Sequence, residues 1–171
     1  MAKKIVNGLI SIFGGMLATE VSKYIFVFIV SLLPILELRG GLIASALLDL
    51  SPIKSYIVCV LANIIVVPIA LFLMEQVLDL LSKFKLLKKL IDKWKKKVDK
   101  KKGILEKYGY IGLMLFVAIP LPGSGAWTGC ILASFLELDK KKSLIFAILG
   151  VLIASIIMMI LSFGLLKGII N

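Results

Sequence analysis

The sequence predicts an all-α polytopic membrane protein built from two inverted repeats, each a re-entrant helical hairpin followed by a transmembrane helix. Three observations predict it: an apolar composition, two apolar blocks broken by proline and glycine, and self-similarity at a shift of 88 residues. Of 171 residues 60% are hydrophobic, and the mean hydropathy is +1.07; a soluble domain has an apolar share nearer ~45–50%. No stretch alternates as a barrel strand does. Backbone groups in lipid must be satisfied internally, so the spanning elements are expected to be helices.

Five apolar blocks occur, at about 5–19, 24–48, 53–75, 108–136 and 143–166, to be measured against the ~20 residues of a spanning helix. Residues 1–20 read as an N-terminal helix. Lys3 and Lys4 ahead of an apolar run also allow a signal-peptide reading, although no A-x-A site follows. Residues 21–75 form the first repeat, whose hairpin block 24–48 is broken at Pro34 and carries Glu37 and Arg39 at its centre. In 76–107, Leu80 and then Phe84, Leu87, Ile91, Trp94 and Val98 of the run KFKLLKKLIDKWKKKVDKKK fall at helical spacing, with lysines on the remaining faces. That pattern predicts a basic amphipathic linker helix at the membrane surface. Residues 108–171 form the second repeat, whose hairpin block 108–136 is broken by PLPGSGAWTG at 120–129.

The net charge of +11 comes from twenty lysines and a single arginine, Arg39, set against ten acids. Most lysines flank apolar blocks, where positive loops set topology and meet anionic lipid, so nucleic acid is not the expected partner. Histidine is absent, and Cys59 and Cys130 lie in apolar stretches without ligand spacing. Neither a metal site nor any other cofactor is expected. If every block spans, the lysines are divided against the positive-inside rule. If 24–48 and 108–136 enter and leave by one side while blocks one, three and five span, seventeen of the twenty lysines share the cytoplasmic face. Only Lys23, Lys54 and Lys167 then lie outside. The expected location is the inner cell membrane, multi-pass, with the linker cytoplasmic; a homodimer remains open.

The shift of 88 lays PILELRGGLIASALLDLSPIKS over PGSGAWTGCILASFLELDKKKS. Pro34 meets Pro122, Gly41 meets Gly129, Lys54 meets Lys142 and Ser55 meets Ser143. With an odd number of crossings between them, the copies face the membrane from opposite sides, as in many secondary transporters.

An ionised group at mid-bilayer costs ~2.5 kcal/mol or more on insertion scales, so Glu37 and Arg39 are expected to face a protein-lined or watery cavity. Two residues apart on a helix they would project about 200° apart and could not pair. Either the backbone at 34–39 is non-helical, as Pro34 suggests, or each has its own partner. Arg39 suits a phosphate or carboxylate, and Glu37 suits proton coupling; the competing reading is a buried ion pair that shapes the hairpin. Gly40 and Gly41 are expected to let another backbone approach.

PLPGSGAWTG is neither a dinucleotide fingerprint nor a P-loop: Gly123, Gly125 and Gly129 are misspaced and no lysine follows. The expectation is that Pro120 and Pro122 end one half-helix, that Gly123 and Gly125 free the turn, and that Ser124 caps a second half-helix from about Ala126. Its N-terminus could draw an anion, or the glycines could serve only close packing. Asn63 and Pro68 in block three are expected to supply a side-chain partner and a kink, and Trp127 to be a packing or interface aromatic.

P-x-x-E-x-R-G-G at 34–41 followed by FVAIPLPGSGAWTG at 116–129 resembles the small multidrug export proteins, relatives of the DedA (SNARE-associated, VTT-domain) superfamily. The resemblance covers roughly residues 20–165. It implies two inverted re-entrant hairpins and, from DedA proteins, gradient-coupled movement of the carrier lipid undecaprenyl phosphate. Glu37 resembles the acidic residue of the first DedA hairpin, and Pro122 and Gly129 resemble the Pro and Gly of the second. DedA proteins carry arginines in the second hairpin, whereas residues 116–129 here hold none, which leaves Arg39 to meet a head group. The expected function is therefore a non-enzymatic transporter of a phosphate-bearing polyprenyl lipid or phospholipid. A proton-coupled multidrug exporter and a non-transporting membrane organiser are the alternatives. The expected binding residues are Glu37, Arg39, Gly40, Gly41, Asn63, Pro122, Gly123, Ser124 and Gly125.

Overall fold

A computed structural model describes residues 2–82, 108–121 and 124–165, and among these every regular element is helical. Pro122, Gly123 and most of the expected linker helix lie outside the described residues. The chain falls into two compact units, Met1–Ile65 with Val151–Asn171, and Val66–Gly150.

In the first unit, α1 (Ala2–Phe13) ends where Gly14 and Gly15 tighten the chain into a 3-10 turn, Gly14–Met16. It buries Val6, half-buries Ile5, Leu9 and Ile10, leaves Lys3, Lys4 and Asn7 exposed, and packs on α3 (Glu37–Leu47). Twelve residues rise only ~18 Å, short of a ~30 Å hydrocarbon core. Block one is thus carried by a shorter helix than a span requires: the two glycines tighten its end, and Lys3, Lys4 and Asn7 lie exposed on it.

α2 (Glu20–Leu32) starts from a reciprocal cap. Thr19 Oγ1 accepts from the Ser22 amide at 3.2 Å, while the Thr19 amide donates to Ser22 Oγ at 3.2 Å. It stops because Leu33, at φ −69° and ψ 135°, takes the extended conformation imposed by the following Pro34. After a short turn α3 returns along α2, so 20–47 is a helical hairpin. Its arms rise ~20 Å and ~16 Å. Phe26, Val27 and Val30 face inward, whereas Val21, Ile25, Ile29 and Leu33 form an exposed apolar stripe at i, i+4 spacing. Lys54, at the start of α4 (Pro52–Ser82), closes the open end of the hairpin on Glu20 with Nζ 3.2 Å from Oε1.

α4 runs through Pro68 without ending, and Pro52–Met74 is 23 residues long and apolar enough to cross a membrane. Ile53, Ile57, Leu61, Ile65 and Ile69 make its exposed apolar stripe. The tail of α7 (Lys140–Met159), which continues as a π-helical segment Ile160–Leu165, joins this unit through the Ser155 hydroxyl, which donates to the Tyr56 hydroxyl at 3.0 Å.

The second unit holds another hairpin, α5 (Tyr110–Ala118) and α6 (Ala126–Phe135), together with the first half of α7 and the second half of α4. Lys140–Gly164 is the second segment long and apolar enough to span, at 25 residues. A Cβ on Gly129 would meet Val117 Cγ2 at 2.5 Å, and one on Gly150 would meet the Met114 carbonyl at 2.7 Å. These glycines let α6 and α7 lie close on α5. At the open end, the Asp139 amide donates to the Tyr110 hydroxyl at 3.1 Å and Lys142 Nζ stands 5.7 Å from the Tyr110 ring centre. The Cys130 thiol donates to the Val67 carbonyl at 3.5 Å; both cysteines are free and buried.

Helix ends recur at the shift of 88: α3 ends at Leu47 and α6 at Phe135, and α4 starts at Pro52 and α7 at Lys140. The closing hydrogen bonds recur too. The Leu50 amide donates to the Ser45 carbonyl at 3.0 Å, as Leu138 does to Ala133 at 3.0 Å. This six-residue closure, with a four-residue turn inside it from Asp49 to Ala46 at 3.4 Å and from Glu137 to Ser134 at 3.2 Å, satisfies carbonyls that a helix end leaves open.

Candidate functional site

The break in the first hairpin positions the only arginine of the chain. Pro34 and Ile35 are exposed at its tip, and the chain re-enters helix at Glu37, whose amide donates to the Leu33 carbonyl at 2.9 Å. Glu37 sits at φ 50°, a left-handed conformation that costs a non-glycine residue roughly 1–3 kcal/mol. Its carboxylate is buried, with 7% of the residue exposed, and Arg39 is half-buried two residues further on. The regular-helix angle between the two does not apply here, because Glu37 does not have helical dihedrals, and neither residue is without a partner.

Gly40 and Gly41 serve side chains rather than a passing backbone. A Cβ on Gly40 would lie 2.5 Å from Leu36 Cβ, within the same turn. One on Gly41 would collide with Ser31 Oγ on α2 and come within 2.8 Å of Cys59 Sγ on α4. Three helices therefore converge on Gly41. Beside it, Asn63 is 1% exposed, and its side-chain amide donates to the Ser31 carbonyl at 3.2 Å and to the Cys59 carbonyl at 3.1 Å. Asn63 thus belongs to the support of the tip, with its amide on main-chain carbonyls.

In the second hairpin α6 begins at Ala126, as the sequence suggests, but its cap is Gly125 and no side chain caps it. Ser124 turns the other way. Its hydroxyl lies 2.6 Å from the Ile119 carbonyl and 3.0 Å from the Leu121 carbonyl, and the Leu121 amide donates to it at 3.3 Å. The expected cap is corrected because the carbonyls released where α5 ends also need donors, and the buried hydroxyl serves them. Gly125, at φ 162° and ψ −166°, is simply extended. Trp127 is half-buried. Pro122 and Gly123 belong to the undescribed residues.

Sequence reasoning missed Ser31, Ser45 and Cys59, which are wholly buried around the first break. The one signal was that Ser31 sits three residues before Pro34, where a chain leaving a helix has a carbonyl to satisfy. Among the described residues no three His, Cys, Asp or Glu side chains converge as metal ligands do. The arrangement sets one half-buried guanidinium and one buried acid on the first turn of α3, after an exposed apolar tip.

The family model described as putative small multi-drug export protein matches residues 37–157, well over half of the chain. No curated protein and no solved structure matches it.

Proposed function

We infer the function from two observations: the chain belongs to the small multi-drug export protein family, and its single arginine lies two residues after the buried Glu37 at the break of a helical hairpin. The reading they support best is a membrane transporter that binds the anionic head of an amphipathic molecule at Arg39 and exchanges a proton at Glu37. The observation that carries it is the placement of Arg39. A guanidinium takes phosphate or carboxylate in forked geometry, and an ionisable group amid membrane helices marks a functional site by default.

The apolar approach favours a lipid. Val21, Ile25, Ile29, Leu33 and Ile35 form an exposed stripe that leads to the tip, with Ile35 80% exposed. A prenyl or acyl chain can lie along that stripe while its phosphate meets Arg39, which fits the carrier-lipid movement implied by the DedA resemblance. The second reading, a proton-coupled exporter of small molecules, is favoured by the family description.

The topology we propose keeps both hairpins re-entrant and the repeats inverted, because no arm exceeds ~20 Å while α4 and α7 are long enough to cross. With α1 on the surface, Lys3 and Lys4 join Lys23, Lys54 and Lys167 outside. The other fifteen lysines, Lys83 to Lys107 and Lys140 to Lys142, then share the cytoplasmic side.

Liposome transport of a labelled polyprenyl phosphate by wild type, Arg39→Ala and Glu37→Gln tests the reading. Loss in Arg39→Ala and loss of proton dependence in Glu37→Gln are expected. Retained export of a cationic drug by Arg39→Ala would select the second reading, and indifference to both substitutions would leave a membrane organiser.

A further inference from the structure

Ser31 and Ile119 occupy the same place in the two repeats, 88 residues apart, each on the last carbonyls of the outer arm of its hairpin. A carbonyl released there among apolar helices needs a donor. The two hairpins find theirs differently. The Ile119 carbonyl is closed from within its own loop, by the Ser124 hydroxyl five residues on and by the Leu121 amide at 2.8 Å. The Ser31 carbonyl is closed from another helix, by the Asn63 amide 32 residues on. The same amide reaches the Cys59 carbonyl of its own helix, so the donor is fixed to α4.

The packing around that hydrogen bond has no slack. Ser31, Gly41, Cys59 and Asn63 are all buried, and Gly41 leaves no room for even a methyl group between α2 and α4. Gly41 stands four positions after Glu37, about one turn of α3, and Arg39 lies between them. We propose that Asn63 is a positioning residue: it fixes the tip of the first hairpin to α4 and thereby sets where Arg39 and Glu37 present their charges. The second hairpin fastens its tip with a hydroxyl of its own loop. The two tips therefore answer to different substitutions, one on a spanning helix and one in the loop.

The inference rests on the reading of Arg39 and Glu37 as the binding pair, and the test separates the two. Full-length protein in nanodiscs is assayed for dodecyl phosphate binding and for amide hydrogen exchange over 31–40. Arg39→Ala should abolish binding and leave exchange unchanged; binding retained by Arg39→Ala would refute the anion reading alone. Asn63→Leu should speed exchange over 31–40 and weaken binding about tenfold or more, the scale on which a displaced binding group acts. Asn63→Gln, which keeps both N–H donors but adds a methylene to a tight site, should recover part of the binding. Wild-type exchange in Asn63→Leu overturns the pin. Faster exchange with unchanged binding reduces Asn63 to a stability residue and overturns its positioning role. Should Asn63→Leu fail to assemble, Asn63→Ser, with one donor, carries the same comparison.

Discussion

Asp49 and Glu137, 88 residues apart, share one backbone conformation, φ 54° and φ 51°, each two residues past the end of the returning arm of its hairpin. Glycine is the usual occupant of that position, since a Cβ is penalised there. A carboxylate is doubly out of place, because a helix C-terminus carries partial negative charge.

Asp49→Gly and Glu137→Gly should each relieve about 1 kcal/mol of backbone strain, more than the loss of the interaction that each acid makes at the surface. Thermal melts in detergent check this, with an upward shift for each variant alone. A fall in the midpoint for both would mean that the acids hold the hairpin ends by contacts worth more than the backbone strain.

Gly41→Ala should destabilise by roughly 2–4 kcal/mol, as overpacking of a tight core does at its upper end, since the new methyl collides with Ser31 and Cys59. Gly112, inside α5 with nothing within 4 Å of where a Cβ would lie, is the control. Gly112→Ala should be neutral or stabilising by about 0.5–1 kcal/mol. Equal effects of the two in a denaturation series would show that α2, α3 and α4 do not meet as described.

The proposed inversion of the two hairpins would place their open ends on opposite faces of the membrane. Asp49→Cys and Lys3→Cys should react with an impermeant maleimide from outside, and Glu137→Cys only from the cytoplasmic side. All three positions are exposed. Asp49→Cys and Glu137→Cys reacting from one side would sink the topology.

Much of the hairpin geometry was legible because it depends on residues with narrow backbone preferences. Pro34 stops α2 at the residue before it, and α6 starts at Ala126, directly after Gly125 as the break in the sequence suggests. The start of α1 was legible but its end was not, because an apolar run read by hydropathy alone passes through Gly14 and Gly15, which break the helix. Side-chain direction was the second blind spot. A serine before a helix reads as a cap, yet Ser124 serves the helix behind it, since the sequence does not say which end of a break has the greater need. Asn63 could be singled out as a polar residue in an apolar helix, but its acceptor lies 32 residues away on another element. The left-handed residues went unseen because acids do not advertise that conformation, although the shift of 88 does set Asp49 over Glu137.

The two long helices are shared out unusually: α4 is divided at Ile65 and Val66, and α7 at Gly150 and Val151, each giving its halves to different units. Each unit completes itself with the far half of the helix that follows the other's hairpin. A substitution in the first half of α4 therefore falls in the unit that holds Arg39, and one in its second half falls in the unit that holds Gly129.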